Sequence, residues 1–106
     1  MKQLSIIIPA YNAERFIERC IRSLETQSLD FSQFEIIVID DGSNDATAQI
    51  IQNKFHDVKL ISRSENMGLP YSVNEGIKSA NSRYIVRVDS DDFVHENFLQ
   101  YLLFTA

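Results

Sequence analysis

The stretch Tyr84-Ile-Val-Arg-Val-Asp89-Ser-Asp91-Asp92 joins an apolar run to a cluster of acids. Its β-branched and aromatic residues predict a buried strand, and the carboxylates follow directly at the carboxyl end of that strand. In open parallel sheets, ligands bind at that end of the strands. Closely spaced carboxylates repel one another unless a cation or a proton intervenes, and hard oxygen ligands suit Mg²⁺ or Mn²⁺. We therefore predict a site for a divalent cation, with a diphosphate as its partner.

The composition is that of one soluble globular domain. The chain has 106 residues, of which 44% are hydrophobic and 24% charged, and its net charge is −5. It has no basic run that could follow a phosphate backbone, so we expect no nucleic acid partner. The single cysteine, Cys20, cannot form an internal disulfide, and the N-terminal apolar run is too short for a signal peptide. We expect a cytoplasmic protein, and a membrane-peripheral position stays open for a longer parent.

Apolar runs alternate with helical patterns along the whole chain. Strands are predicted at Leu4–Ile8, Phe34–Ile39, Val58–Ile61 and Tyr84–Val88. Helical patterns lie between them, and a last one spans Phe93–Phe104. This alternation predicts an α/β fold with a mostly parallel sheet of about four strands flanked by helices.

Polar and small residues predict where the helices begin and how they pack. Asn12 is a candidate N-cap of the first helix, and Ser43 or Asn44 of the second. We expect Gly68 to adopt a positive φ angle before the third helix, and Gly76 to let that helix approach the sheet closely. Helical spacing predicts a third helix through four apolar residues: Leu69, Val73, Ile77 and Ala80.

Two further motifs end strands at the same edge of the predicted sheet. Pro9-Ala-Tyr11-Asn12 follows the first strand, and taken alone it is more typical of a strand-ending proline than of a site. As a site, it would place the Tyr11 ring beside a nucleobase or ribose. The run Asp40–Ser43 follows the second strand and has an ordinary interpretation as an Asp-Gly turn. As a site, it would let Asp41 accept the imide N–H of a pyrimidine.

The acid cluster is harder to explain as ordinary surface. Solvated acids usually lie on helix faces, and three of them at the end of an apolar strand would repel one another. A calcium-binding loop that begins at Asp89 is excluded, because Val94 occupies the place that needs glycine.

Five stretches follow one another along the chain: Ser5–Asn12, Ile37–Ser43, Glu65–Gly68, Asn74–Ile77 and Tyr84–Asp92. In this order they resemble the N-terminal half of family 2 glycosyltransferases, which have the GT-A fold. The resemblance implies a Rossmann-like nucleotide-binding half. It also implies transfer of a sugar from a nucleotide diphosphate donor, usually UDP-linked, to an acceptor hydroxyl, typically with inversion. The acceptor of the parent would be a glycan or a lipid-linked molecule, as in polysaccharide biosynthesis.

The same resemblance assigns roles to the strand-end residues. It implies a nucleotide-sugar site at Pro9, Tyr11, Asn12, Asp41, Asp89 and Ser90. Asp89 and Asp91 look like the ends of the family's Asp-x-Asp motif. Asp91 would then bind Mn²⁺ or Mg²⁺, and Asp89 would lie near the ribose or a metal-bound water and could share the metal.

Two features depart from the family pattern. Val73 stands where many members carry an arginine before the asparagine that matches Asn74, so a phosphate contact from this place is absent. The family's catalytic base lies C-terminal to the matching part, so we expect the base beyond Ala106 and assign no residue of this chain to that role. The last helical pattern also has no stop signal. We expect residues 1–106 to be one donor-binding domain, a truncated part of a longer parent, and to be inactive alone.

The sequence bears on three classes of protein other than a glycosyltransferase. A nucleotidyltransferase would need a glycine-rich phosphate loop after the first strand, and Pro9–Asn12 contains no glycine. A phospho-acceptor signalling domain would need acids at the end of that strand. A non-catalytic module for nucleotide binding, metal binding or assembly stays open, because exposed apolar surface of a partial sheet favours self-association.

Overall fold

The computed structural model covers residues 1–106 and contains a four-stranded parallel sheet flanked by four helices. The strands are β1 (Lys2–Ala10), β2 (Phe34–Asp41), β3 (Lys59–Arg63) and β4 (Ser82–Arg87). The helices are α1 (Ile17–Glu25), α2 (Thr47–Lys54), α3 (Leu69–Ser79) and α4 (Phe98–Thr105). The strand order is β3-β2-β1-β4, and every neighbouring pair is parallel. This confirms the predicted Rossmann-like α/β fold. None of these helices combines the length and the apolar character that crossing a bilayer requires.

The central strands β1 and β2 are buried on both faces. Their isoleucine-rich runs are continuous rather than alternating, as expected for strands covered by helices on each side. On one face, Ile6, Ile8 and Ile36 pack in the larger core, to which α1 contributes Ile17 and Leu24. On the other face lies a smaller core. Its members are Ile7, Ile37 and Ile39, with Ala80 packed against them.

Helix α3 packs on the smaller core through small side chains. Its buried residues are Ser72 and Gly76, whereas Leu69 and Ile77 are 46% and 44% exposed. The predicted third helix is present, but its apolar spacing does not identify its buried face. A Cβ atom at Gly76 would lie only 2.5 Å from Cγ2 of Ile7, which confirms the predicted close approach of helix and sheet. The space that larger side chains would need is already filled from the sheet.

We expect Gly76→Ala to lower the free energy of unfolding by about 1–3 kcal/mol, because the added methyl group overpacks the core. The sign is informative, since alanine is the better helix former and would otherwise stabilise α3. Chemical denaturation measures the change. Lys78→Ala, an exposed change on the same helix, should alter the free energy by at most about 0.5 kcal/mol. A Gly76→Ala variant as stable as the wild type would contradict the close packing.

Strand β4 was predicted to be buried, but it lies at an edge of the sheet and is partly exposed. It pairs only with β1, so its other side has no strand partner in the chain. Tyr84 and Ile85 are 38% and 45% exposed as a result. Val88, which follows β4, is buried and only 4% exposed. Its N–H donates to the Ile7 carbonyl at 3.0 Å. The acidic stretch thus starts from an anchored position.

Three helices begin later than their sequence signals indicate. Helix α1 starts at Ile17, and Asn12 is not its N-cap but a loop residue with a φ angle of 52°. Helix α2 starts at Thr47, and α4 starts at Phe98 rather than Phe93. The preceding residues form the loops at the carboxyl ends of β1, β2 and β4 instead.

Candidate functional site

The carboxyl ends of all the strands lie on one rim of the sheet. Ala10 of β1 pairs with Asp40 of β2, so Asp41 is one step further along. Arg87 of β4 pairs with Ile7 of β1. Two residues further along both strands, Asp89 is therefore level with Pro9. Because adjacent strands are about 4.8 Å apart, β2 and β4 are separated by about 10 Å across β1. The strand-end motifs thus meet along one edge.

A cleft of about 260 Å³ opens between the ends of β1 and β2. Three of its lining residues are the predicted Pro9, Tyr11 and Asp41. The Tyr11 residue is 47% exposed, whereas Asp41 is only 4% exposed. The remaining lining residues come from the tip of β1, from the β3–α3 loop and from the start of α3: Ala10, Asn66, Gly68, Leu69 and Ser72. The cleft therefore has an exposed aromatic ring and a buried acid in its walls.

Asp41 ties the β3–α3 loop to the wall of the cleft. Its Oδ1 accepts the Met67 N–H at 2.8 Å, and its Oδ2 accepts the Gly68 N–H at 2.9 Å. Gly68 has a φ angle of 99°, as predicted, and this conformation presents its N–H. Nη1 of Arg63 lies 3.6 Å from Oδ1. An ionised carboxylate has about four acceptor positions, so Asp41 keeps capacity for a donor in the cleft.

Asp40 has a structural role, in line with the ordinary interpretation of its motif. It is 3% exposed and accepts hydrogen bonds from the Ser43 N–H and the Ser62 hydroxyl, each at 3.2 Å. Gly42 has a φ angle of 73°, which confirms the tight reversal after β2. A Cβ atom there would lie 2.6 Å from the Asn66 nitrogen, so the turn touches the β3–α3 loop.

Asn12 joins the ends of β1 and β2. Its N–H donates to Ser43 Oγ at 2.9 Å, and its Oδ1 accepts the Asn44 N–H at 2.8 Å. Ser43 and Asn44 are thus engaged here and do not cap α2, whose Thr47 N–H is accepted by Asp45 at 3.0 Å. Asn12 is not among the residues that line the cleft. Its contact with a nucleotide stays a prediction.

The acids after β4 form a compact cluster. Asp89, Asp91 and Asp92 are exposed, and one carboxylate oxygen of each lies within 4.8 Å of the others. Opposite ligands of an octahedral Mg²⁺ are about 4.2 Å apart, so a small side-chain movement would suit such an ion. Arg87 donates to Asp89 Oδ1 from Nε at 3.1 Å and from Nη2 at 3.0 Å, whereas the Asp91 carboxylate forms no ion pair. The donor set is compatible with a divalent cation, and the carboxylates of Asp91 and Asp92 are both free of ion pairs.

Helix α1 supports the loop that carries these acids. The contacts run along the helix and just past its end: Cys20 Sγ to the Asp89 carbonyl (3.5 Å), Ser23 Oγ to the Val94 N–H (3.1 Å) and, after the helix, Gln27 Nε2 to the His95 carbonyl (2.7 Å). The Arg19 guanidinium also lies 3.5 Å from the Asp91 carbonyl. The backbone of the acidic loop is therefore fixed on a helix of the larger core, while its carboxylates remain exposed.

We expect the Cys20 thiol to be inert in the folded chain. Burial, together with the nearby charges of Asp92, Asp91 and Asp89, raises its pKa to about 12. Because thiol reagents attack the thiolate, mass spectrometry at about pH 8 should show no alkylation of the native chain and complete alkylation in denaturant. Rapid alkylation of the folded chain would show that α1 does not hold the acidic loop as described.

The predicted residues fall into two neighbouring groups. Pro9, Tyr11 and Asp41 share the cleft, whereas Asp89 lines a separate hollow with Arg87. Ser90 lies in the turn between the acids and is half-buried. Sequence reasoning missed Asn66, Leu69 and Ser72 in the cleft wall, and it missed Arg63, which contacts Asp41 from behind the cleft. The only signal for Arg63 was a charged residue at the end of a strand.

The C-terminal residue takes no part in either group. Helix α4 ends at Thr105, and Ala106 follows it as an exposed residue whose N–H donates to the Leu103 carbonyl at 3.4 Å. Ala106 lines neither the cleft nor the hollow that contains Asp89. A catalytic base beyond Ala106 therefore stays a prediction, because residues 1–106 do not test it.

Comparisons with known proteins give consistent matches. The family model described as Glycosyl transferase family 2 matches residues 5–106. The poly(ribitol-phosphate) beta-glucosyltransferase of Bacillus spizizenii is 40% identical over 96 residues, which is 87% of this chain and 15% of that protein. The poly(ribitol-phosphate) beta-N-acetylglucosaminyltransferase TarS of Staphylococcus aureus is 35% identical over 104 residues, which is 94% of this chain and 18% of that protein. The chain thus spans about a sixth of the length of these curated relatives.

Solved structures match the fold closely. The crystal structure of S. aureus TarS 1-349 in complex with UDP aligns with a TM-score of 0.88 and 32% identity, over 94% of this chain and 30% of that chain. A mannosyltransferase from Pyrobaculum calidifontis, in complex with GDP-Man and Mn²⁺, aligns with a TM-score of 0.84 over 92% of this chain and 30% of that chain. Its identity is 22%, so this second match supports the fold alone.

Proposed function

Because the chain belongs to glycosyl transferase family 2, we propose that it forms the donor site of a glycosyltransferase, with a UDP-sugar as the favoured donor. The observation that carries this proposal is the cleft between Tyr11 and Asp41, which lies beside the acidic cluster on one rim. The TarS complex with UDP supports the choice of uridine, since that structure covers 94% of this chain at 32% identity.

The nucleoside is proposed to bind in the cleft. The exposed Tyr11 ring offers an aromatic face and a polar edge to the base or ribose, and Pro9 limits the cleft beside it. Asp41 accepts the imide N–H of uracil, because its carboxylate keeps free acceptor capacity while the N–H groups of Met67 and Gly68 fix its orientation. Donor recognition thus rests on a rigid acceptor in a mostly buried position.

The diphosphate is proposed to lie over the acidic cluster. A ligand that contacts both Asp41 and the acids has to span about 10 Å of the rim, which a nucleoside diphosphate does and a free nucleoside does not. Asp91 would hold a divalent cation, either Mn²⁺ or Mg²⁺, with Asp89 near the ribose or a metal-bound water. When bound, such an ion neutralises charge that develops on the leaving diphosphate. Arg87 keeps Asp89 in place by a two-nitrogen contact.

The remaining parts of the reaction are proposed to lie beyond Ala106. A general base has to reach the acceptor hydroxyl within hydrogen-bond distance. Asp40 is engaged within the fold, and Asp41 and Asp91 are proposed to bind the nucleoside and the cation. The base and the glycan or lipid-linked acceptor site are therefore assigned to a longer parent, and we expect no appreciable sugar transfer by this chain alone.

Isothermal titration of the 106-residue chain with UDP, with and without MnCl₂, tests the proposal. We expect UDP to bind in Mn²⁺, to bind more weakly without it, and to bind more tightly than CDP under the same conditions. The folded state is checked by circular dichroism in each buffer. A folded chain that shows no UDP binding in Mn²⁺ would overturn the proposed function.

One observation favours the alternative of an assembly module. Strand β4 has an unpaired edge with exposed Tyr84 and Ile85, and such edges promote pairing between chains. Light scattering over a range of concentrations tests this alternative. A mass that rises with concentration supports self-association, and a constant monomer mass removes it.

A further inference from the structure

Arg63 lies at the end of β3, directly behind the acid that lines the cleft. Its side chain is 14% exposed, and Nη1 lies 3.6 Å from Asp41 Oδ1. Nη2 donates to the Ser72 hydroxyl at 3.4 Å, and the guanidinium carbon lies 4.5 Å from the centre of the Tyr71 ring. Two neighbouring residues of α3 and the end of β2 therefore enclose one guanidinium.

The guanidinium is held there without a full set of hydrogen bonds. Nε and Nη1 of Arg63 are buried and have no hydrogen-bond partner. Burying a charged donor group without partners is costly, and an opposite charge nearby is the usual compensation. The carboxylate of Asp41, whose side chain is 6% exposed, is the charge that Arg63 meets. The placement of Arg63 is therefore explained by Asp41 better than by its other neighbours.

The contacts of Asp41 divide its two oxygens. Oδ1 accepts the Met67 N–H and faces Arg63, whereas Oδ2 accepts only the Gly68 N–H. With contacts at both oxygens, the carboxylate cannot rotate freely. Oδ2 is the oxygen with the larger remaining acceptor capacity.

We propose that Arg63 is a positioning residue that, together with the N–H groups of Met67 and Gly68, fixes the Asp41 carboxylate and thereby makes the donor site select uracil over cytosine. This inference rests on the proposed function. Uracil has an N–H at the ring position that faces an acceptor, whereas cytosine has a lone pair there. A fixed carboxylate rejects cytosine because two acceptors meet, and a carboxylate that is free to turn does not. Arg63 acts through Asp41 and need not touch the ligand.

A double-mutant cycle tests this role. The variants are Arg63→Met, Asp41→Asn and the double variant, with UDP and CDP affinities measured by calorimetry in Mn²⁺. We expect Arg63→Met to weaken UDP binding and to lower the ratio of UDP to CDP affinity by about tenfold. A tenfold change corresponds to the free energy of one charge-assisted contact. In the Asp41→Asn background, Arg63→Met should change UDP affinity by less than about twofold, since coupled groups are not additive. Arg63→Lys should retain most of the ratio because it keeps the charge.

The ratio of two affinities does not depend on the folded fraction, so a loss of stability alone leaves it unchanged. Arg83→Met is the matched control, because Arg83 also lies over a tyrosine, at 5.7 Å from Tyr84, but on the edge strand away from the cleft. If Arg63→Met does not fold, Arg63→Gln takes its place with the same expected narrowing.

The outcomes separate this inference from the proposed function. Absence of UDP binding by the wild type overturns both. If the wild type binds UDP, two results overturn only the role of Arg63. One is a ratio of UDP to CDP affinity that Arg63→Met leaves unchanged. The other is a loss of UDP affinity on Arg63→Met that is as large in the Asp41→Asn background as in the wild type.

Discussion

Replacing Asp41 with asparagine is expected to weaken UDP binding by about 10- to 100-fold, because a hydrogen bond to a charged acceptor contributes about 1.5–3 kcal/mol. Asparagine keeps one acceptor oxygen, but its NH₂ group has to face either the ligand or the N–H groups that the carboxylate now accepts from Met67 and Gly68. Calorimetric titration with UDP in Mn²⁺ measures the loss.

Asp40→Asn is the control for this change. Asp40 is the preceding residue of the same strand and is equally buried, but its hydrogen bonds run to Ser43 and Ser62 within the fold. We expect the control to lower thermal stability and to leave the UDP dissociation constant of the folded chain nearly unchanged. Equal UDP affinities in Asp41→Asn and the wild type would remove Asp41 from the nucleoside site.

Replacing Asp91 with asparagine is expected to weaken Mn²⁺ binding in the presence of UDP by at least about tenfold, because a ligand oxygen loses its charge. Asp91 belongs to the exposed acidic cluster and forms no ion pair, whereas Arg87 engages Asp89. Electron paramagnetic resonance of free Mn²⁺ measures the binding directly.

Asp57→Asn serves as the control for Asp91→Asn. Asp57 is also exposed, but it precedes β3 and so lies at the opposite end of the sheet. The two site variants should also differ in their dependence on metal. Asp41→Asn should weaken UDP binding with and without Mn²⁺, whereas Asp91→Asn should affect it only when Mn²⁺ is present. Unaltered Mn²⁺ affinity in Asp91→Asn would be incompatible with the assigned ligand.

The architecture could be predicted where one short run of sequence decides the structure. The isoleucine-rich runs of β1 and β2 predicted strands, and both strands are central in the sheet and buried on two faces. The run in β4 is also apolar, yet the strand lies at an edge, because an apolar run does not reveal what covers it. In α3, spacing favoured the large residues Leu69 and Ile77, but the sheet leaves room only for Ser72 and Gly76.

The candidate site could be predicted to the extent that it lies directly after strands. Parallel strands end at one rim, so Tyr11, Asp41 and Asp91 were expected to lie near one another. The shared rim does not imply a shared pocket, because Tyr11 and Asp41 line the cleft and Asp91 does not. Arg63 could not be assigned from the sequence, since its meeting with Asp41 depends on the crossover that places β3 beside β2.

The proposal that one ligand contacts both the Tyr11–Asp41 cleft and a cation at Asp91 is tested most directly by amide NMR. Spectra of the labelled chain are recorded with UDP and then with UDP and Mn²⁺. UDP should shift the amide resonances of Met67 and Gly68, and Mn²⁺ should broaden residues 88–92 far more strongly once UDP is bound. Two results together would contradict this proposal. UDP would leave the Mn²⁺-induced broadening of residues 88–92 unchanged, and it would shift only resonances of another surface.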